Sequence, residues 1–184
     1  MTAAHWVRCA RKTRRPKREK GQVIACPLVS PTTETLRLRL WTFAKIPLLF
    51  FLRPSVVEAS PQRTVIRIPL TRRSRNHLGS MYFAALCAGA DLAGALTAMR
   101  RIEASGRSVS LIFKDVTARF LRRAEGDVFF SCDEGEAVAA LVARAVETGE
   151  REERPVRIVA TVPEKLASEP AAEFLLTLSL KRRD

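Results

Sequence analysis

The segment running from Arg75 through Asn76, His77, Leu78, Gly79, Ser80, Met81 and Tyr82 into Phe83-Ala84-Ala85-Leu86-Cys87-Ala88-Gly89-Ala90-Asp91-Leu92-Ala93-Gly94 constrains the fold most. A polar, glycine-containing lead-in opens a long apolar helix, expected over Gly79 to Arg101 and closing at Ser105-Gly106. A helix so rich in Ala, Leu and Met can be enclosed on most of its sides. Asp91 is the exception on that helix. Burying an ionised carboxylate without partners costs several kcal/mol. Asp91 is therefore either satisfied structurally or is the working group of a site.

The rest of the chain supplies the expected wrapping. Leu36 to Leu52 is apolar and aromatic but interrupted by Arg37, Arg39, Lys45 and Pro47. It reads as a helix on the open side of the domain, bent near Pro47. It is too short and broken to span a bilayer, which takes about 20 apolar residues; Trp41 beside Arg39 and Lys45 also suits an interfacial membrane contact. Val56 to Glu58 and Thr64 to Leu70 form a hairpin around Ser60-Pro61-Gln62, with Val65, Arg67 and Pro69 on one side and Ile66, Ile68 and Leu70 on the other. Val109 to Arg122 reads as one long or bulged strand with Ser110, Ile112, Lys114, Val116, Ala118 and Phe120 on one face. Asp127 to Cys132 is the next strand. Glu134 to Glu147, where Ala137, Val138, Leu141, Val142, Ala145 and Val146 recur at helical spacing, is an inserted helix. Val156 to Val162 and Phe174 to Leu180 complete the strands, joined through Pro163 to Pro170. Two strands, a long helix and four more strands describe an α+β domain with an antiparallel sheet wrapped around one buried helix.

Length and charge narrow the function. A chain of 184 residues with 47% apolar content suits one domain, read as 23–184 with its core over about 36–182, behind a basic tail at 1–22. That tail holds eight Lys/Arg against Glu19, so it supplies +7 of the net +13. The folded body is then only mildly basic, and specific nucleic-acid binding is not expected of it. The tail reads first as a solvated, disordered arm; a nucleic-acid or anionic-lipid contact, or a start of translation further along, stays open. No apolar stretch of a secretory signal follows its charges. Cys9, Cys26, Cys87 and Cys132 lack metal-binding spacing, and the two histidines are His5 and His77, so no metal is expected. A reduced, cytoplasmic protein is the simplest expectation.

Two motifs carry a resemblance. Asn76, Gly79, Tyr82-Phe83-Ala84 and Asp91, nine positions after Tyr82, resemble the central-helix signature of hotdog-fold acyl-CoA thioesterases of the phenylacetate-pathway type. There, Asn-x-x-Gly-x-x-His-Gly-Gly is followed by an acid nine after the His. Phe120-Leu121-Arg122-Arg123-Ala124-Glu125-Gly126-Asp127 resembles the same family's Phe-Leu-Arg-Pro-Ala followed by Gly-Asp. The opening Asn76-His77-Leu78-Gly79-Ser80-Met81-Tyr82 also resembles the narrower bacterial group DUF4442, itself inferred to be thioesterase-like. The resemblance spans about residues 36 to 182.

It implies a hotdog domain that works as a homodimer or dimer of dimers and hydrolyses a fatty or aryl acyl-CoA, with no cofactor besides the coenzyme A of the substrate. Hydrolysis needs a base to activate water and donors for the developing oxyanion. Asp91 is the implied base. The backbone N–H groups of Phe83 and Ala84 are the implied oxyanion donors, at the positive end of the helix dipole. Asn76 would orient the carbonyl. His77, Gly79 and Tyr82 would border the substrate, and Arg122 and Arg123 would meet its phosphates, a role open also to Arg72, Arg73 and Arg75. Nine residues are two and a half turns, so Asp91 and Tyr82 lie on opposite sides of the helix. The implied site therefore joins Asp91 of one subunit to the helix start of another, with the long strand from Val109 as the pairing edge. Tyr82 stands in place of the family's His, Phe83-Ala84 in place of Gly-Gly, and Ala95 where a Ser or Thr often follows the acid. These departures define the rival reading, a non-catalytic acyl-CoA or lipid-binding module.

Overall fold

In the computed structural model, residues 30–183 are described; the basic tail at 1–22 lies outside them. Helix α1 (Pro31–Lys45) starts five residues before the sequence suggests. Ser30 caps it, accepting from the Thr33 N–H, and Pro31 takes the first helical position, where its missing N–H costs nothing. The expected bend falls at Ile46, where α1 gives way to the single turn α2 (Pro47–Phe51). Strands β1 (Ser55–Ala59) and β2 (Thr64–Ile68) form the expected hairpin. Val65 is buried together with Ile66 and Ile68, so β2 is not the half-exposed strand that its alternation suggests.

Helix α3 (Phe83–Ser105) is the long helix, closed by Gly106 in the left-handed conformation. It begins four residues later than expected, because the lead-in is consumed by a tight loop built on Asn76. After it come β3 (Val109–Phe120), β4 (Val128–Cys132), α4 (Gly135–Thr148), β5 (Glu152–Thr161), the single turn α5 (Pro163–Leu166) and β6 (Pro170–Arg182). The six strands make one antiparallel sheet in the order β1-β2-β4-β5-β6-β3.

The sheet curves around α3, whose Leu86, Ala90, Leu92, Ala93 and Leu96 are buried in the core with Ile66, Phe130, Ile158 and Phe174 of the strands. Gly89 lets α3 approach β4 so closely that a Cβ there would collide with the Phe130 ring. Helix α3 has the length and mean hydropathy, 1.2, of a bilayer span, and it is the core helix of this sheet. The inserted helix α4 packs Val138, Leu141, Val142 and Ala145 into the same core. Its start is pinned to the β1–β2 turn by the Gly135 N–H on Gln62 O at 3.0 Å.

Strand β3 lies at one end of the sheet and departs from the expected single face. A bulge between Phe113 and Val116 inserts one extra residue opposite Leu178–Leu176 of β6. The slip reverses the alternation. Leu111 and Phe113 turn to the core before the bulge, and Ala118 and Phe120 after it. Lys114 reaches Glu153 on β5 at 2.6 Å, while Asp115 accepts from the Thr177 hydroxyl at 2.7 Å.

Candidate active site at the start of the central helix

Asn76 organises the approach to α3. Its Oδ1 accepts from the N–H of Leu78 at 2.9 Å and of Ser80 at 3.2 Å, and its Nδ2 lies 3.1 Å from the Ser80 hydroxyl. Gly79 sits at φ +83°, where a side chain would be strained, and completes this loop. The Tyr82 N–H donates to Ser74 O at 2.7 Å and the Met81 N–H to Ala124 O at 2.8 Å, which ties the loop to the turn after β3. Arg123 strengthens that tie through Leu78 O. The loop and turn together fix where α3 begins.

Tyr82 is the N-cap, yet its side chain makes no capping bond. The Ala85 and Leu86 N–H groups donate back to Tyr82 O, and among the described residues the N–H groups of Phe83 and Ala84 find no acceptor. Both are orphan donors at the positive end of a 23-residue helix.

Beside them opens a groove of about 520 Å³. It gathers six of the expected site residues, Asn76, His77, Tyr82, Phe83, Arg122 and Arg123. Gly79 and Ala84 belong to the adjoining backbone. Arg122 and Arg123 stand at its rim, held by Glu169 at 2.9 Å and Glu125 at 3.1 Å. Both arginines already have carboxylate partners, so a phosphate there would have to share or displace them. The ring of Phe83 meets Tyr82 at 4.8 Å and Phe120 at 6.5 Å, both edge-on.

Asp91 is elsewhere. It lies on the half-open stripe of α3 with Ala84, Ala88 and Ala95, away from the groove of its own chain. Partly buried, it forms no hydrogen bond or ion pair with any described residue. Burial raises its carboxyl from 3.8 to about 6. Cys87, one turn earlier, also has its thiol pushed up by burial.

Comparison with known proteins decides the family. Residues 37–168 match the family described as domain of unknown function DUF4442. The chain belongs to that family.

Solved structures similar to this DUF4442 chain include a Pseudomonas aeruginosa protein of unknown function, named a probable thioesterase. It is 27% identical with a TM-score of 0.68, over 84% of this chain and 97% of its own. A protein of unknown function from Chlorobaculum tepidum is 11% identical with a TM-score of 0.70, over 83% and 97%. A thioesterase from Haemophilus influenzae is 12% identical with a TM-score of 0.58, over 80% and 90%. The last two share the fold only. No curated protein matches the chain. The architecture is the hotdog fold.

Several groove residues were not named as site residues from sequence: Ser80, Met81, Phe120, Leu121 and Ala124, which stand in the two motifs, and Leu86. Ser80 had a signal, since a hydroxyl four residues after a loop Asn is placed to share its turn. Phe120 had its place at the head of the second motif, although the β3 bulge turns it to the face opposite from the one its alternation suggests. Asp127, part of the second motif, is a fold-holding residue of this DUF4442 domain: it accepts from the Leu70 N–H at 2.8 Å and from Arg67 Nε at 2.8 Å.

Proposed function

We propose that the protein is an acyl thioester hydrolase whose site forms between two copies of the chain. The observation that carries the reading is Asp91: a carboxylate on the central helix, partly buried, without a described partner, and raised to about 6. A base of that kind is largely ionised at neutral pH yet basic enough to accept a proton from water. The free N–H groups of Phe83 and Ala84 lie seven to eight residues earlier, about 10–12 Å along the helix. One chain cannot aim both at one carbonyl, and a twofold-related copy can.

Asp91 would take a proton from water as the water oxygen bonds to the thioester carbon. The resulting oxyanion would be received by the N–H groups of Phe83 and Ala84 of the other copy. Collapse breaks the C–S bond, the thiolate takes up the proton held by Asp91, and a carboxylic acid leaves. Met81, Phe83, Leu86 and Phe120 give the groove an apolar wall for the acyl chain, and Arg122 and Arg123 give its mouth positive charge for coenzyme A. Asn76, committed to the Leu78 and Ser80 N–H groups, shapes the loop and retains one amide hydrogen for the substrate. His77, exposed at the groove, borders the coenzyme A side. Pairing through the β3 edge is supported by the exposed apolar side chains of Ile112, Val116 and Leu121 along it.

The test is hydrolysis of short, medium, long and aryl acyl-CoAs by the purified protein, its Asp91→Asn variant and its Asp91→Ala variant. Turnover that falls at least about 100-fold in both variants is expected. Turnover indifferent to Asp91 would overturn the mechanism. Binding without turnover would favour the acyl-binding module, which the Phe83 ring in place of a family glycine already suits.

A further inference from the structure

Helix α1 is turned inside out. Its buried stripe is Glu34, Leu38 and Thr42, at 6%, 6% and 0% exposure, so two of the three inward positions are polar. Both are accommodated: the Thr42 hydroxyl donates to Leu38 O at 2.9 Å, and Glu34 pairs with Arg37 at 3.6 Å. The apolar stripe at helical spacing, Leu36, Leu40 and Phe43, points outward at 59%, 61% and 64% exposure. Leu48 of α2 is 69% exposed, and Phe43 stacks edge-on against Phe50 at 5.1 Å, which joins the two helices into one patch. A water-facing helix carries the opposite arrangement, and a patch of this extent on a soluble face marks a contact surface.

The charge around it has one sign. Lys45 and Arg53 belong to the patch segment, with Arg37 shared with the buried Glu34, and no other Asp or Glu occurs between Thr33 and Val57. The Arg73 guanidinium lies 5.0 Å from the centre of the Phe51 ring, bringing Arg72, Arg73 and Arg75 to the same rim; no acid occurs between Pro69 and Ala90 either. The N-terminal 22 residues, which lead towards α1 in the chain, add eight Lys/Arg against one Glu. A second copy docked patch to patch would set cation on cation. Helices of 15 and 5 residues are too short to span a bilayer.

We propose that α1, α2 and the Thr71–Arg75 loop form a docking surface for an anionic phospholipid bilayer. The side chains of Leu40, Phe43 and Leu48 enter the headgroup boundary while the basic rim meets lipid phosphates. Apolar insertion and polybasic attraction are the two signals whose combination gives stable surface binding. The surface also adjoins the acyl groove, because Arg75 is followed directly by Asn76 and His77 of its lining. The inference does not depend on thioester chemistry.

Vesicle flotation of the full chain tests it, with phosphatidylcholine vesicles and with vesicles in which about one-third of the lipid is phosphatidylglycerol. The expected result is partition onto the anionic vesicles, little onto the neutral ones, and a drop of at least about tenfold between low and high salt. The double variant Phe43→Ser, Leu48→Ser should lose at least about tenfold in partition while unfolding at the wild-type temperature, since both side chains are already exposed. Equal partition onto both vesicle types, or failure to float with either, would overturn the proposal. So would undiminished binding of the double variant, which would leave the tail's charge as the whole cause. A smaller assembly mass for the variant in light scattering would overturn it in favour of an interface between copies.

Discussion

Helices α3 and α1 break the same rule in opposite directions. The central helix buries Leu, Ala and Gly on most of its sides and carries Asp91 on its half-open stripe, where nothing described in the chain receives it. The first helix buries an acid and a threonine beside Leu38, gives each a partner, and sends Leu36, Leu40 and Phe43 outward. Stability alone would exchange these placements. Departures from the apolar-in pattern that packing does not repair locally are the positions where a fold is shaped for something outside itself. On α3 the proposed something is an acyl thioester, and on α1 it is the proposed bilayer surface.

The largest effect expected is the loss of at least about 100-fold in hydrolysis on removing the Asp91 carboxylate. Next is the close approach of α3 to β4. Gly89→Leu should destabilise by roughly 2–4 kcal/mol in chemical denaturation, because its side chain would occupy the Phe130 ring's position. On α1 the contrast is internal: Leu38→Ala should cost about 2–3 kcal/mol, and Leu40→Ala less than about 0.5 kcal/mol. Similar costs at the two leucines would erase the inside-out description.

Asp91→Asn should act on stability in the reverse sense from its effect on activity. Burial raises the folded-state value from 3.8 to about 6. The neutral acid is the form the fold prefers, so its contribution to stability is complete below about pH 3.8 and is lost as pH rises through about 6. Above that, the ionised group is a burden that asparagine removes. The variant should be more stable than the wild type by about 1–3 kcal/mol at pH 8, with the difference gone near pH 4. A variant equally or less stable at pH 8 would mean that the carboxylate is satisfied after all.

Much of this fold was legible because its periodicities are local. The α3 run, the alternation in β5 and β6, and the 138/141/142/145 pattern of α4 each name their buried face. What sequence misplaced depends on side-chain bonds and pairing. The start of α3 moved from Gly79 to Phe83 because Asn76 holds the intervening residues in a loop, a geometry set by two N–H contacts. The face of β3 reversed midway because its register against β6 slips at Phe113/Val116. At the site, six residues chosen from the motifs share one groove, yet sequence could not say that Asp91 has no described partner. The inversion of α1 was only half legible, since its apolar residues suit both a helix packed on the open side of the domain and an interfacial contact until the sheet's position shows which face turns inward.

The pH dependence of kcat/KM for wild-type hydrolysis of the preferred acyl-CoA tests the central claim most directly. The account predicts a tenfold rise per pH unit at low pH, an inflection near 6 and a plateau above it, because only the ionised Asp91 can accept the proton from water. A profile flat from about pH 5 to 7, or one that falls as the carboxylate ionises, would contradict it.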